Sequence, residues 1–595
     1  MVETRTKEAK GKRKNPREGS AHSAPETAQP DRATRHTTIL LLMLLTVVLK
    51  TLIFPPINIW PLAYVCLVPW LLAVGLPSRA PRVYLHCVLF GLIFYSINVR
   101  WMIPATGYGY FALVVYLMLY IPLLALPVRH VVRRRRWPLA LAFPVIWVGG
   151  EMIKAVALSG FPWFFLSHTQ YRILPLTQIS DLVGAYGVSF LVAAVNGFIA
   201  DILIARAARM PGLPLVSPLA QAKPRLVAAG AVTAGMLVVT LTYGLVQLSR
   251  ETLQQGPRVA VIQGDFLDMV NNANAKGRDA MSPRERMLTY QALMEEAGQL
   301  EPDIIVLPET PWPMVLNKEA RGMGSLSRAS FSALQQLSTR LAAYVVTGCA
   351  SFERHPYDLD ANDRYYNSAA VFHPDGREPG RYDKRHLVYF GETVPFRFTR
   401  LHWLYLWLNK LMPFSGPDGT HEYSMFRGAE FRTFEIRPST MEGRSLRFGI
   451  PICYEDVMPY IARTFARGDD GTKGVDLLLN ISNDGWFGRG IQQEQHLAIC
   501  TFRAVENRVG IARAVNTGNS ALIKPTGEIA ARPDDPADKW PGAMGYAVGH
   551  VFTDSRVSFY THYGDWFAWG CACLLFLLIV DYWVIRMLSR ARAQA

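Results

Sequence analysis

The fold is decided by one short apolar run that ends at a cysteine: Arg447-Phe448-Gly449-Ile450-Pro451-Ile452-Cys453-Tyr454-Glu455-Asp456. The run is typical of a buried strand, and the polar residues after Cys453 mark the end of that strand. A loop at such an end can present the thiol to a substrate. A single cysteine is more often a small core residue, so the choice between the two interpretations depends on other stretches of the chain.

The cysteine spacing and the charge of the chain exclude several classes of protein. None of the seven cysteines forms a CxxC pair or a Cys/His ligand pattern, so the sequence predicts neither a zinc site nor a disulfide framework. We expect no metal. The formal net charge is +15, but the positive residues flank apolar segments, which argues against a nucleic-acid partner.

Apolar segments long enough to cross a bilayer lie before residue 250 and at the C-terminus. The residues before them, 1–36, are polar, basic and proline-containing, a composition typical of a disordered tail. We predict about eight membrane-spanning helices, at roughly 38–54, 58–77, 84–104, 109–128, 138–157, 177–204, 226–247 and Trp566–Met587.

The positions of lysine and arginine orient these helices. If eight spans alternate, twenty-three Lys and Arg residues fall on one side of the membrane, and the positive-inside rule makes that side cytoplasmic. The sequence then divides into a cytoplasmic tail (1–36), a seven-helix membrane domain (37–249), an outer domain (250–562), and a last helix with a short cytoplasmic tail (563–595).

The outer domain alternates strand-like and helix-like segments, the pattern of an α/β fold with helices outside a central sheet. The predicted strands are 258–262, 303–307, 344–347, 368–372, 448–452, 476–480, 511–515 and 521–523. The predicted helices are 284–300, 327–343 and 492–507.

Two further strand ends carry groups that a cysteine nucleophile requires. Glu309 follows the apolar run 304–307, and Lys384 lies in the segment after the strand that ends at Phe372. Either residue alone is usually a surface charge. A thiol that attacks a carbonyl needs a base for its proton and a cation beside the developing oxyanion. Glu309, Lys384 and Cys453 together supply this set.

Several motifs in both parts of the chain occur together in one known family. They are Gly160-Phe-Pro-Trp163, Leu-Pro-Glu309, Tyr382-Asp-Lys-Arg-His-Leu-Val-Tyr-Phe-Gly-Glu392-Thr-Val-Pro-Phe, Cys453-Tyr-Glu, Ile481-Ser-Asn-Asp-Gly-Trp486-Phe-Gly, Gln495-His496 and Arg503-Ala-Val-Glu506-Asn507. The set resembles the nitrilase, or carbon–nitrogen hydrolase, superfamily and, within it, the apolipoprotein N-acyltransferases. The resemblance implies an α-β-β-α sandwich that faces the periplasm and is inserted before the last helix of a membrane bundle.

The resemblance also implies roles for individual residues. Glu309 would be the general base, Lys384 would stabilise the oxyanion, and Cys453 would be the nucleophile. The family's supporting residues match a second set, Glu392, Tyr454 and Glu455. No cofactor is implied.

The implied function is the maturation of bacterial lipoproteins at the inner membrane. An acyl chain would pass from a phospholipid, expected to be phosphatidylethanolamine, through a thioester on Cys453 to the α-amino group of the diacylglyceryl-cysteine that begins an apolipoprotein. Two alternatives stay open: a membrane-tethered amidase of the carbon–nitrogen hydrolase type, and a transporter or scaffold with a non-catalytic outer domain. The spans hold few ionisable residues, which counts against transport.

Aromatic residues near the predicted nucleophile indicate how water is kept from the thioester. We predict that Trp163 and Trp486 bind the acyl chain and, together with Trp312, form an apolar wall. Relatives often carry a lid tryptophan after the first strand of the outer domain. This chain has no tryptophan there, and we consider Phe266 as the lid aromatic.

Overall fold

The computed structural model consists of a bundle of apolar helices and an α/β domain inserted before the last helix. It describes residues 32–76, 80–207, 223–267, 281–311, 315–317, 324–353, 364–411, 424–441, 443–533 and 544–594. Residues 1–31 of the predicted tail, and Trp312, lie outside this part of the chain. The first helix begins at Arg32, so it includes the last five residues of the predicted tail, 32–36.

The membrane domain contains helices α1 to α10. They are α1 (Arg32–Leu52), α2 (Val68–Gly75), α3 (Ala80–Asn98), α4 (Gly107–Met118), α5 (Tyr120–His130), α6 (Leu139–Val156), α7 (Leu174–Thr177), α8 (Ser180–Val183), α9 (Ala185–Ala207) and α10 (Lys223–Leu248).

Five helical stretches among the described residues are long and apolar enough to cross a membrane. They are Gly107–Arg135, Leu139–Val156, Ala185–Arg206, Lys223–Leu248 and Trp566–Arg592. Two shorter apolar helices, His36–Leu52 and Trp60–Gly75, lie where the first two spans were predicted. Spanning helices are therefore confirmed by length and composition, whereas the predicted count of about eight is not.

Two six-stranded sheets form the centre of the outer domain. The strands are β1 (Leu253–Gln263), β2 (Ile304–Val306), β3 (Tyr344–Glu353), β4 (Arg364–Phe372), β5 (Gly380–Asp383), β6 (Phe434–Ile436), β7 (Leu446–Gly449), β8 (Leu477–Ser482), β9 (Gly510–Val515), β10 (Ala521–Ile523), β11 (Ile529–Ala531) and β12 (Gly545–Asp554). One sheet has the order β12-β1-β2-β3-β4-β5, and the other has the order β11-β10-β9-β8-β7-β6. In each sheet two neighbouring pairings are parallel, β1–β2–β3 and β7–β8–β9, and the others are antiparallel.

The described part of the outer domain contains six further helices, some of which cover the outer faces of the sheets. They are α11 (Pro283–Gly298), α12 (Ser325–Arg340), α13 (His402–Asn409), α14 (Pro459–Ala466), α15 (Gln492–Asn507) and α16 (Phe559–Tyr563), and α17 (Trp566–Gln594) then follows. Apolar residues of both sheets share one buried cluster between them. Helices α11 and α12 pack on the first sheet, and α14 and α15 pack on the second. This order of layers confirms the predicted α-β-β-α sandwich.

Helix α15 packs against both domains, and all of its residues are buried. Leu497 and Cys500 face the second sheet. Ala498 and Phe502 pack in a cluster with Tyr171 and other residues of the membrane domain. A helix buried on every side must satisfy its polar side chains internally, and those of α15 bond to both domains, as described below.

Candidate active site

The predicted nucleophile begins a tight turn that follows the end of β7. Cys453 is the first residue of a 3₁₀ turn that runs to Asp456. Its φ of 52° lies in the left-handed region, which costs a non-glycine residue about 1 kcal/mol or more. The residue before it, Ile452, forms a parallel bridge to Ile481 at the end of β8, so the turn is fixed by the second sheet.

Glu455 holds this turn against the segment that carries the predicted lysine. Its carboxylate accepts hydrogen bonds from the backbone N–H groups of Ile452 (2.8 Å), Arg385 (2.7 Å) and His386 (2.9 Å). The hydroxyl of Tyr382 donates to it as well, at 3.1 Å. Because the carboxylate is fully buried, losing these donors would leave an uncompensated charge. Glu455 therefore ties the turn that carries Cys453 to the segment that carries Lys384.

The three predicted catalytic residues, Glu309, Lys384 and Cys453, lie together with the predicted supporting residue Glu392. The Lys384 ammonium is 2.9 Å from Glu392 Oε1 and 3.8 Å from Glu309 Oε1. Asn367 Nδ2 donates to the same two oxygens, at 2.7 Å and 2.6 Å respectively. Cys453 is close enough to interact electrostatically with Glu309, Lys384 and Glu392. We call Glu309, Lys384, Glu392 and Cys453 the catalytic cluster.

The electrostatics of the catalytic cluster favour a proton shared between the thiol and a carboxylate. Burial raises the pKa of Cys453, and Glu309 raises it further while Lys384 lowers it. Burial also raises the pKa of Glu309, which the Lys384 ammonium lowers and Glu392 raises. Burial alone would lower the pKa of Lys384, but its two carboxylates and the thiol raise it above the ordinary value. Lys384 is therefore the fixed positive charge of the site.

Glu309 is placed by close backbone contacts. Its backbone N–H donates to the Ser482 carbonyl of the second sheet at 3.4 Å, and Gly348 N on β3 donates to the Pro308 carbonyl at 3.1 Å. A Cβ on Gly348 would lie 2.6 Å from Glu309 Cα, so only glycine allows this approach. Glu309 Oε2 accepts no hydrogen bond from the described residues, which leaves that oxygen available to a thiol proton.

Tyr454 connects the nucleophile turn to the membrane domain. Its hydroxyl donates to the Gly160 carbonyl at 3.1 Å, and its ring stacks on His386 with centroids 6.0 Å apart. Gly160 has a φ of 83°, and a Cβ there would lie 2.2 Å from the Ala155 carbonyl oxygen. The turn between α6 and the aromatic loop therefore requires glycine, and it brings the catalytic edge of the sandwich against the membrane helices.

The aromatic loop lies against α15. Trp163 is 4% exposed, its indole N–H donates to Gln495 Oε1 at 2.8 Å, and its carbonyl accepts a hydrogen bond from Lys154 Nζ at 2.6 Å. Its ring centroid lies 5.5 Å from that of Trp101 and 5.6 Å from that of His496. The structure thus brings Trp163 to the back of the nucleophile turn.

Trp486 belongs to a segment that reaches this aromatic group through its neighbour in the chain. It is half-buried in the 3₁₀ turn Asp484–Phe487. The ring of its neighbour Phe487 lies 5.0 Å from that of Trp101, edge to face. Trp101, which the sequence analysis did not select, is therefore the residue that links the two predicted aromatic segments.

The surroundings of Phe266 bear on its suggested role as a lid. Phe266 is 1% exposed, and its ring packs edge to face on Tyr290 at 5.6 Å in the core of the outer domain, a position that does not fit a lid. Within the described residues no group of three or more His, Cys, Asp or Glu side chains could hold a metal ion.

Comparison with known proteins finds the same two domains. Residues 47–198 match the family model described as "Apolipoprotein N-acyltransferase N-terminal domain". Residues 258–539 match the family model described as "Carbon-nitrogen hydrolase". The apolipoprotein N-acyltransferase of Geobacter metallireducens is 34% identical over 544 residues, which cover 89% of this chain and 92% of that protein. That of Azotobacter vinelandii is 28% identical and covers 88% of this chain and 90% of its own. Among solved structures, Saccharomyces cerevisiae Nit3, a member of branch 10 of the nitrilase superfamily, is 18% identical with a TM-score of 0.34 and covers 53% of this chain and 97% of its own.

Proposed function

The chain belongs to the apolipoprotein N-acyltransferase family and is an acyltransferase of lipoprotein N-acylation; on this premise we propose that Cys453 carries the acyl chain as a thioester between a phospholipid and the acceptor. The donor is phosphatidylethanolamine, and the acceptor is the α-amino group of the N-terminal diacylglyceryl-cysteine of an apolipoprotein. One observation supports the proposal: buried Glu309 and Lys384 lie with the half-buried Cys453 at the edge of the sandwich that contacts the membrane helices.

In the first half-reaction Cys453 attacks the ester carbonyl of the donor. Glu309 Oε2 takes the thiol proton, the thiolate sulfur bonds to the carbonyl carbon, and the oxyanion develops beside the Lys384 ammonium. When the tetrahedral intermediate collapses, the C–O ester bond breaks and the glycerol oxygen receives the proton from Glu309. The products are the acyl-enzyme and a lysophospholipid.

The second half-reaction reverses the proton movements. The neutral α-amine of the apolipoprotein attacks the thioester carbonyl, and Glu309 accepts a proton from the amine nitrogen. The C–S bond then breaks, the sulfur is protonated, and the amide product leaves. Glu392 keeps the ammonium of Lys384 in place through the 2.9 Å contact, and Glu455 and Tyr454 keep the nucleophile turn in register with the lysine segment and the membrane loop.

Trp163 and Trp486 are proposed to exclude water from the thioester and to bind the acyl chain. An acyl chain gains about 0.8 kcal/mol for each methylene that stays out of water, so a thiol at the membrane surface avoids a large transfer cost. If the aromatic group keeps water out, Trp486→Ala lowers transfer to the acceptor or raises hydrolysis of the acyl-enzyme. Unchanged rates of both would reject this role.

We further propose the finer topology that the sequence predicts. The shorter apolar helices His36–Leu52 and Trp60–Gly75, together with α3, complete eight spans, and the sandwich faces the periplasm of a bacterial inner membrane. In whole cells that carry the Cys453→Ala background, a membrane-impermeant thiol reagent would label Ser325→Cys on α12 and would not label Arg590→Cys on α17. The opposite pattern would reject the orientation.

The donor and the thioester are tested by the intact mass of the full-length protein after incubation with phosphatidylethanolamine, beside Cys453→Ala. We expect a mass gain of one acyl chain that hydroxylamine removes and that the variant lacks. No adduct with several phospholipids would reject the lipid donor and favour a membrane-tethered amidase. An adduct that persists in Cys453→Ala would mean that another residue is the nucleophile.

A further inference from the structure

Behind the nucleophile turn lies a second group of buried charges, which the proposed chemistry does not use. His496 of α15 is held between two carboxylates: its Nδ1 is 2.9 Å from Asp484 Oδ1, and its Nε2 is 2.7 Å from Asp456 Oδ1. The guanidinium of Arg513 on β9 pairs with Asp456 and lies 3.7 Å from Asp484. All four side chains are at most 5% exposed. We call Asp456, Asp484, His496 and Arg513 the buried charge cluster.

The hydrogen bonds of His496 determine its charge. A neutral imidazole has one N–H and can donate to only one carboxylate, whereas an imidazolium donates from both nitrogens. Burial by itself would lower the pKa of His496, but Asp456 and Asp484 raise it to about 9. The buried charge cluster therefore contains two negative and two positive groups, which balance each other.

The buried charge cluster acts on the nucleophile through the turn and through its electrostatic field. Asp456 ends the same 3₁₀ turn that Cys453 begins in a left-handed conformation, so the partners of Asp456 help to fix the sulfur. The charge of Asp484 raises the pKa of Cys453, and Arg513 also interacts with the thiol. A change in the net charge of the buried charge cluster would therefore change the pKa of the Cys453 thiol.

The same histidine faces the membrane domain. The Trp163 ring lies 5.6 Å from the His496 ring, and Gln495, the residue before it, accepts the indole hydrogen bond of Trp163. Gln495 also donates to the Pro55 carbonyl of the membrane domain at 3.0 Å. His496 is therefore in contact with both the aromatic loop and the turn that carries the thiol.

We propose that His496 is a positioning residue that holds the Cys453 turn through Asp456 and balances the charge of Asp484, so that the Cys453 thiol releases its proton more readily. The importance of this effect for catalysis rests on the proposed role of Cys453 as the nucleophile, whereas the effect on the thiol itself does not. The charged groups that face the thiol are Glu309, Lys384, Glu392, Asp484 and Arg513. The charged groups that face His496 are Asp456, Asp484 and Arg513.

The test is the pH dependence of Cys453 alkylation by iodoacetamide in the full-length protein, followed by the mass of the peptide that contains Cys453. The thiolate displaces iodide, so the rate follows the thiolate fraction. His496→Gln leaves two carboxylates facing one cation. We expect the midpoint of the pH profile to rise by about one unit, which makes alkylation about tenfold slower below the midpoint.

A second variant and a control separate this effect from damage to the fold. Asp484→Asn is nearly isosteric and removes a negative charge near the thiol, so its midpoint shifts to lower pH. His168→Gln is the matched control, because His168 is equally buried in the same interface with its ring on Phe165 and Phe502, and its midpoint stays at the wild-type value.

Opposite shifts in His496→Gln and Asp484→Asn would support the proposal, since general loosening of the site would move both midpoints in one direction. A wild-type midpoint in folded His496→Gln would overturn it. If His496→Gln does not fold, an unshifted or raised midpoint in Asp484→Asn would also overturn it. Alkylation needs neither lipid nor acceptor, so a failed lipid reaction together with shifted alkylation would reject the proposed donor alone.

Discussion

The catalytic cluster and the buried charge cluster include the first and the last residue of one four-residue turn, Cys453 and Asp456, yet their charges are balanced differently. The catalytic cluster has two carboxylates for a single ammonium. The buried charge cluster has two carboxylates for an imidazolium and a guanidinium. In a buried site a surplus carboxylate is costly unless it binds a proton. The first cluster therefore has room for one mobile proton, and the second has none.

This difference indicates how the work is divided within the site. Glu309 and Cys453 both have raised pKa values because of burial, so they compete for the same proton, as the proposed roles of general base and nucleophile require. His496 has a raised pKa because of its carboxylate partners, and its protons stay in two hydrogen bonds. On our proposals, the catalytic cluster moves a proton, while the buried charge cluster keeps the conformation of the turn and the electrostatic field at the sulfur constant.

The largest expected effect comes from removing the carboxylate that receives the proton. Glu309→Gln retains the size of the side chain and an acceptor for Asn367, but it cannot take the thiol proton. We expect the rate of acyl-enzyme formation to fall about 10²- to 10⁴-fold, measured by intact mass against time. Glu295→Gln is the control, because Glu295 is half exposed on α11 and pairs with Arg340. A rate within about threefold of wild type for Glu309→Gln would contradict the role of the base.

Removing the single ammonium should have the next largest effect. Lys384→Met leaves Glu309 and Glu392 facing each other without a cation and removes the charge beside the oxyanion. We expect about a 10²- to 10³-fold loss of acyl-enzyme formation. Because the ammonium lowers the pKa of Glu309, the pH profile of the remaining activity should also move to higher pH.

The control for this variant is Lys524→Met, since Lys524 lies outside the site in a pair with Glu528. An unchanged pH profile in Lys384→Met would mean that the lysine does not act on the pKa of Glu309, whatever the loss of rate.

A smaller effect on acyl-enzyme formation is expected from removing one of the hydrogen bonds by which Glu455 connects the Cys453 turn to the Lys384 segment. Tyr382→Phe removes one donor to Glu455 and leaves the three backbone donors. The net worth of such a bond is about 1 kcal/mol, so acyl-enzyme formation should fall roughly fivefold. Glu455→Gln disturbs all four bonds and should lower the rate further. If Tyr382→Phe were more harmful than Glu455→Gln, the tie would not act through the carboxylate.

The smallest effect concerns stability at alkaline pH. The pKa of His496 is raised in the folded protein to about 9, above its unfolded value of about 6.5. Its contribution to stability is therefore fully present below about pH 6.5 and is lost as pH rises through about 9. The difference in melting temperature between wild type and His496→Gln should shrink over this range. A difference that is constant with pH would show that His496 is neutral in the folded protein.

The strands show where the sequence was informative about the fold. All eight predicted strands occur, and they are the four inner strands of each sheet, β1 to β4 and β7 to β10. The four that the sequence analysis missed, β5, β6, β11 and β12, are the edge strands. An inner strand is covered on both faces and reads as a continuous apolar run. An edge strand pairs on one side only and carries charges, such as Arg381 and Asp383 in β5.

The candidate site was predictable where a reactive group ends an apolar run, as for Glu309 and Cys453. Asn367, which bridges the two carboxylates of the catalytic cluster, gives no such signal, because it lies inside β4. His496 occurs in a recognised motif, but its partners Asp484 and Asp456 are 12 and 40 positions away. Contact between these three side chains depends on how β8, β9 and α15 pack, and a local sequence pattern does not predict that packing.

Helix α15 has a consequence for attempts to use the two domains as separable modules. A fragment from Leu253 to Asp554 would contain every strand and the complete catalytic cluster, and its ends look like natural places to cut. Such a fragment would also expose the outer face of α15, with Glu494 deprived of Tyr171 and Arg172 and Glu506 deprived of the Ala185 N–H. We therefore expect hybrids of two relatives to work only when α15 and the 160–190 segment of the membrane domain are inherited together.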